Sequence, residues 1–169
     1  MRRCDGSIFF IRNTTTVIEW ASLRVLIDPN FLHAGNYIHL GPGVTATRLK
    51  DLAVDLAELP SLNYILLSHY YEDHFDKLAE ASLDRRVPIV TMKVLKGCRY
   101  IYISGDTLFV DELQQIPQFL HHQRVDLILV YLSGTTIPGP HIPLLIVAID
   151  APQGVRLMRL VDPEVTIPV

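Results

Sequence analysis

The chain has 169 residues, of which 49% are hydrophobic and 20% charged, so it can bury a sizeable core and is not a disordered protein. Its formal net charge is −3 and no run of Lys and Arg occurs, which argues against nucleic acid or an anionic membrane as the main partner. The two cysteines, Cys4 and Cys98, are far apart and favour a reducing, cytoplasmic location over a disulfide framework. No apolar run is long enough for a signal-peptide core or a membrane span.

The first half of the chain alternates strand-like runs with turns. β-Branched and aromatic residues predict three short strands, at residues 7–12, 14–20 and 23–28. The glycine-rich residues 29–46 predict a loop, and leucines at helical spacing predict a helix over 48–59. A nearly continuous apolar run predicts a buried strand at 62–67, and a short helix is expected at 76–83.

The second half continues the alternation of strands and helices. Four strands are predicted, at residues 87–92, 99–104, 125–132 and 165–169. Helices are predicted over 108–116, ending at Pro117, and over 150–160, while residues 135–143 predict a Pro/Gly-rich loop. This order of elements indicates an α/β or α+β domain with helices outside a sandwich of sheets.

The sequence Ser-His-Tyr-Tyr-Glu-Asp-His at residues 68–74 follows the predicted strand at 62–67 directly. It places two imidazoles, of His69 and His74, and the carboxylate of Asp73 on one tight turn. Nitrogen and carboxylate donors clustered on a loop with rigid structure behind it are what a metal site requires. The segment therefore predicts metal binding.

A second acidic residue, Asp106, follows the predicted strand at 99–104. In open α/β sheets, ligands bind at the C-terminal ends of the strands, where Asp106 is expected to lie. Gly105 would allow close approach of the backbone, and Thr107 is expected to cap the following helix. If the two strands are near neighbours, Asp106 faces the histidine loop, where its carboxylate could bridge two metal positions.

Other interpretations of these side chains remain open at this point. Asp73 and His74 could be turn and helix-cap residues, and Asp106 an ordinary residue at a strand end. His33 and His39 are expected to be solvated, and His141 is a candidate substitute ligand. A structural role at a helix end is expected for two more histidines, His121 and His122.

Taken together, the motifs resemble the metallo-β-lactamase superfamily, and within it the branch of ascorbate-phosphate-lactonase-like and N-acylphosphatidylethanolamine phospholipase-like proteins. The matching segments are Leu-Ile-Asp-Pro at 26–29, the stretch at 66–76, Ile-Ser-Gly-Asp-Thr at 103–107 and the run at 126–136. They occur in the order typical of the family. The resemblance implies one αββα-sandwich domain over residues 1–169, shortened and incomplete.

The resemblance also implies roles for individual residues. His69 would belong to a first metal position, Asp73 and His74 to a second, and Asp106 would bridge the two. Tyr71 stands where the family has another loop histidine. Three further departures are an apparent deletion near residues 92–98, an early C-terminal stop at Val169, and Tyr131 at a position where this branch commonly has histidine.

These features lead to two functional hypotheses. The first is a hydrolase-like protein with one weak site for zinc or manganese, holding at most one ion tightly. It would use Asp73 and Asp106 catalytically and direct water at an ester, lactone, amide or phosphodiester of a small-molecule substrate. The second is an inactive remnant or binding protein that keeps the fold and has lost the reaction. Loss of the segment near 92–98 would expose part of a sandwich, so a homo-oligomer is also expected.

Overall fold

The computed structural model describes residues 6–20, 22–41, 43–90, 94–96, 100–120, 123–137, 145–146 and 148–169. The chain divides into two compact units, residues 1–92 and residues 93–169, which are described here in turn. No helix in the described residues is both long and apolar enough to cross a lipid bilayer.

The first unit is built on a five-stranded sheet with the strand order β1-β2-β3-β6-β7. Its strands are β1 (Gly6–Arg12), β2 (Thr15–Trp20), β3 (Leu23–Ile27), β6 (Tyr64–Leu66) and β7 (Ile89–Val90). The first three form an antiparallel meander, and β6 and β7 add in parallel. The core of this unit comprises Ile11, Val17, Leu26, Phe31, Ile65, Leu67, Phe75 and Ala79. All five strands overlap predicted ones.

A hairpin occupies part of the segment predicted to be a loop. Strands β4 (Tyr37–Gly41) and β5 (Val44–Thr47) pair antiparallel across a turn that includes Gly43, whose φ is +76°. Ile38 is buried while Tyr37 and His39 on either side are exposed, which is the alternation of a half-buried strand. The prediction of a continuous loop over 29–46 was therefore wrong, because this alternation is short and surrounded by glycine.

The helix predicted over 48–59 is not present either. Only a 3-10 turn, Leu56–Glu58, forms there, and Leu52, Leu56 and Leu59 pack against the core from an otherwise irregular segment. The backbone of Arg48 bonds with Asn36 and Gly35, extending the hairpin ladder where the helix was expected to start. Helix α1 (Lys77–Ser82) agrees with prediction and is capped by Asp76, which accepts from two backbone N–H groups.

The second unit contains a four-stranded sheet with the order β13-β10-β9-β8. Its strands are β8 (Val94–Lys96), β9 (Tyr100–Ile103), β10 (Leu127–Val130) and β13 (Val165–Pro168). Strand β8 is antiparallel to β9, whereas β9, β10 and β13 run parallel. A separate antiparallel pair is formed by β11 (Thr136–Ile137) and β12 (Leu145–Ile146).

One of the two helices predicted in this unit is present, and the other is not. Helix α3 (Ala151–Val161) is capped by Asp150 and confirms the helix predicted over 150–160. The helix predicted over 108–116 is instead a 3-10 turn, Asp111–Gln115, followed by α2 (Ile116–Phe119). Pro117 lies in the first turn of α2 and does not end a helix, because a missing N–H is tolerated at that position.

The predicted deletion near 92–98 falls partly on residues 91–93 and 97–99, which lie outside the described residues. Between them, β8 forms a strand that the sequence did not predict. The deletion, the single domain and the early stop remain predictions.

Tyr102, on β9, provides a test of side-chain burial in the hydrophobic core of the second unit. Its side chain is buried, and burial raises the pKa of Tyr102 to about 12 from 10.0. The unfolded chain ionises first as pH rises, so Tyr102 stabilises the folded state below pH 10 and loses this contribution between pH 10 and 12. Relative to Tyr102→Phe, the wild type should lose about 1 kcal/mol by pH 11 in urea denaturation. Exposed Tyr37→Phe is the control, and an equal pH dependence in both variants would contradict the prediction.

Candidate metal centre

The candidate site begins with the loop after β6. We call residues 68–76 the ligand loop; it carries His69, Asp73 and His74 and ends at Asp76, the cap of α1. The backbone carbonyl of Tyr71 accepts from the N–H groups of His74 and Phe75, which closes a turn inside the loop. A strand on one side and a capped helix on the other thus fix both ends of the loop.

His74 is held by the carboxylate of Asp28, which was not predicted from the sequence to contribute to the site. Its Nδ1 lies 2.9 Å from Oδ2 of Asp28, and both side chains are almost completely buried. Asp28 also accepts 2.7 Å hydrogen bonds from the backbone N–H and the hydroxyl of Ser68. Carboxylates that bond the second nitrogen of a metal-binding histidine fix its tautomer and ring orientation.

The other nitrogen of His74 faces a second carboxylate. Its Nε2 lies 3.8 Å from Oδ2 of Asp73. The His69 ring lies 4.0 Å from the His74 ring between centroids, and its Nδ1 is 2.9 Å from the Ser68 hydroxyl. One ligand nitrogen of His69 lies within 4.8 Å of one from His74. The structure therefore places His74 close to both His69 and Asp73, and imidazole and carboxylate donors suit zinc or manganese.

Asp106 belongs to the second unit. It follows β9 at the C-terminal end of that strand, after Gly105 with φ +58°, and its side chain is half-buried. The predicted cap by Thr107 was wrong, since its hydroxyl donates to the Leu108 carbonyl and Val110 precedes the next helical turn. A bridging role for Asp106 remains a prediction.

Tyr71 and Tyr131, which stand where the family resemblance expects histidine, have different surroundings. Tyr71 is 59% exposed, with its ring centroid 5.4 Å from that of His69. Tyr131 is buried, and its backbone N–H donates to the hydroxyl of Ser104. A phenol is a poor zinc ligand, so Tyr71 adds a polar aromatic surface beside His69 in place of a donor.

Two further histidines of the described residues, His33 and His39, lie near carboxylates. His33 has one ring nitrogen 3.6 Å from Asp51 and the other 3.3 Å from Asp55, and half of its side chain is exposed. His39 is largely exposed and contacts Glu72, so the prediction that both are solvated is confirmed. The predictions for three other histidines fall outside the described residues: His121, His122 and His141.

The hairpin and the segment after it hold the ligand loop from the side. The backbone N–H of His39 donates to Oε2 of Glu72 and is the main reason that the pKa of Glu72 is lowered. Nη2 of Arg48 donates to the carbonyl of Asp73 at 3.1 Å. Burial and then the Arg12 guanidinium lower the pKa of Arg48 to about 10, against the raising effect of Asp73 and Asp76. The sequence analysis had not identified Asp28 or Arg48 as contributors to the site.

No family model matches the chain. The UPF0173 protein YddR of Bacillus subtilis (strain 168) is 29% identical over 85 residues, which is 46% of this chain and 32% of that protein. The matched region thus spans about a third of the length of this curated relative.

Solved structures resemble almost the whole chain. An isothiocyanate hydrolase from Delia radicum gut bacteria has a TM-score of 0.73 at 14% identity, covering 97% of this chain and 84% of that one. A Thermotoga maritima protein classed as a Zn-dependent hydrolase of the metallo-β-lactamase superfamily has a TM-score of 0.54 at 12% identity, with coverages of 98% and 75%. The narrower branch inferred from the motifs remains a prediction. The chain therefore shares the α/β fold of these structures, one of them a metallo-β-lactamase-superfamily hydrolase, which confirms the fold class inferred from its sequence.

Proposed function

We propose that the chain is a metal-dependent hydrolase-like protein that holds one divalent ion through His69, Asp73, His74 and Asp106. The observation that carries this proposal is the buried pair of Asp28 and His74, whose outer nitrogen faces Asp73. A histidine oriented by a carboxylate on one side and directed toward a second donor on the other is typical of metal centres. The hydrolases among the proteins of similar fold support the same reaction class.

The donor set fits one zinc or manganese ion. Asp73, His74 and Asp106 supply the three protein ligands of a catalytic zinc, and His69 adds a fourth donor on the same loop. Asp106 is included because it follows a parallel strand at its C-terminal end and because the family resemblance assigns a carboxylate there. When bound, the ion would lower the pKa of water and polarise the bond to be cleaved.

The residues of the chain have distinct tasks in this proposal. Asp28 holds His74 through Nδ1, so that Nε2 is its ligand atom. Ser68 links the site internally, because its hydroxyl lies within hydrogen-bonding distance of both Asp28 and His69. The carboxylates of Asp73 and Asp106 are the groups that would accept a proton from the attacking water. The substrate is a small molecule with an ester, lactone, amide or phosphodiester bond.

A second candidate function is a non-catalytic protein that keeps the fold. Tyr71 favours it, because this exposed phenol occupies the position where the resemblance expects a metal-binding histidine. Loss of one direct ligand should cost at least the roughly 10–100-fold in affinity associated with loss of a supporting group. The two functions differ in whether the purified chain retains metal.

Metal analysis of the purified chain decides between these candidates. The wild type should carry about one equivalent of zinc or manganese, and His74→Ala should lose nearly all of it. The matched control is His33→Ala, because His33 also contacts carboxylates but lies off the ligand loop. Wild-type metal below about a tenth of an equivalent, unchanged in His74→Ala, would reject the hydrolase proposal.

A kinetic experiment tests the reaction itself. Hydrolysis of generic esters such as 4-nitrophenyl acetate should disappear with a chelator, return with the ion, and be lost in Asp106→Ala. Circular dichroism of Asp106→Ala should match that of the wild type, which separates loss of the site from loss of the fold. Such a result would exclude the non-catalytic candidate, whereas activity insensitive to both treatments would contradict the proposed site.

A further inference from the structure

Arg48 bonds the backbone of a proposed ligand. It follows strand β5, and its own backbone is fixed by hydrogen bonds to Asn36 and Gly35. From this position its Nη2 donates to the carbonyl of Asp73 at 3.1 Å, linking residues 25 apart in the sequence. The contact is therefore made between two anchored segments, the end of the hairpin and the ligand loop.

One nitrogen of the Arg48 guanidinium has an unsatisfied hydrogen-bonding capacity. Its Nε is buried and has no hydrogen-bond partner among the described residues. A buried donor without an acceptor is costly, and an apolar side chain would fill the same space without that cost. What the arginine supplies here is a rigid, charged donor directed at Asp73.

The preceding residue of the ligand loop is held in a similar manner. Nδ2 of Asn30 donates to the carbonyl of Glu72 at 2.7 Å, and the N–H of His39 donates to the Glu72 carboxylate at 2.9 Å. Three separate segments thus fix the two residues before His74. Arg48 is the member of this set that bonds the proposed ligand Asp73 itself.

We propose that Arg48 is a positioning residue that fixes the backbone of Asp73, so that its carboxylate is held toward Nε2 of His74 for metal binding. The inference rests on the proposed function, since it concerns the same site. Truncation of Arg48 releases the carbonyl of Asp73 and lets its carboxylate move away from His74. Lysine at this position retains the charge but lacks the planar, forked set of donors.

Cobalt binding provides a test that does not depend on enzyme activity. The full chain and its Arg48→Ala and Arg48→Lys variants are titrated with Co²⁺, and the visible absorption and the Kd are recorded. Arg48→Ala should raise the Kd by about 10–100-fold and change the visible bands, because a ligand is displaced. Arg48→Lys should give an intermediate Kd.

The matched control is Arg24→Ala. Arg24 also donates to a backbone carbonyl, that of Ser61 at 2.8 Å, and it pairs with Glu19, but within the described part of the chain it makes no hydrogen bond to the ligand loop. Its Kd and spectrum should equal those of the wild type. Unchanged binding in both Arg48 variants, or an equal loss in Arg24→Ala, would overturn the inference.

Two further outcomes have defined meanings. If Arg48→Ala does not fold, as judged by circular dichroism, Arg48→Lys decides the question by itself: wild-type affinity and spectrum would overturn the inference. If the wild type binds no cobalt, both the proposed function and this inference are rejected. If instead the wild type binds cobalt and both Arg48 variants bind it equally well, only the inference about Arg48 fails and the proposed function stands.

Discussion

Replacing Asp28 by alanine is expected to lower the free energy of unfolding by about 3–5 kcal/mol and to weaken metal binding by about 10–100-fold. Asp28 is fully buried and accepts from the backbone and hydroxyl of Ser68 and from the ring of His74. Its removal leaves buried donors unpaired and the His74 ring without its support. Urea denaturation and metal competition measure the two effects.

The substitution Asp28→Asn separates the effect of the negative charge of Asp28 from the effect of its size and shape. Asparagine has nearly the same volume and tolerates the φ of +44° found at Asp28. Its amide presents a donor as well as an acceptor to Ser68 and His74, so it cannot satisfy all three donors at once. The expected stability loss is smaller, about 1–2 kcal/mol, while metal affinity should still fall by at least about 10-fold. Wild-type metal affinity in Asp28→Asn would contradict the supporting role of Asp28.

Replacing Asp76 by alanine should have the second largest effect, a loss of about 2–4 kcal/mol of unfolding free energy. One carboxylate oxygen of Asp76 caps α1 by accepting from the N–H groups of Leu78 and Ala79. The other oxygen accepts from the N–H of Phe31 in the core of the first unit. Alanine therefore removes a helix cap and also leaves a buried backbone donor unpaired.

Asp150→Ala is the matched control for this second experiment. Asp150 caps α3 through the N–H of Gln153 and is half-buried, so its loss should cost only about 1 kcal/mol. Asp76→Asn should be intermediate, because the amide keeps one acceptor oxygen. An equal midpoint shift in urea for Asp76→Ala and Asp150→Ala would contradict the additional role of Asp76.

The strands of the five-stranded sheet were predictable from the sequence because they consist of apolar and β-branched runs, whereas β4, β5 and β8 were not predicted. Residues 62–67 read as a buried strand, and β6 forms within them. The sequence predicted a helix over 48–59, but this segment is irregular. Leucines at helical spacing do not distinguish the two, because an irregular chain that packs on a core from one side can have the same spacing. At the start of this segment, the backbone of Arg48 bonds with Asn36 and Gly35 instead, a pairing between distant segments that has no local sequence signal.

In the candidate site, too, some residues were predictable from the sequence and others were not. His69, Asp73 and His74 are neighbours in sequence, and their residue types alone indicate metal binding. Asp28 lies 46 residues before His74, and the two meet because β3 and β6 pair in parallel, with Ile27 opposite Leu66. That register places the residue after β3 beside the loop after β6. The isolated pattern Leu-Ile-Asp-Pro indicates only a turn after a strand.

The attachment of the ligand loop to its surroundings has a thermodynamic consequence. Asp28, Asn30, His39 and Arg48 hold the loop through hydrogen bonds within the protein, so we expect it to be ordered before an ion binds. A preorganised loop loses little conformational entropy when it binds an ion. Its amide protons should accordingly exchange with solvent slowly in the metal-free protein, and an added ion should slow them only slightly further.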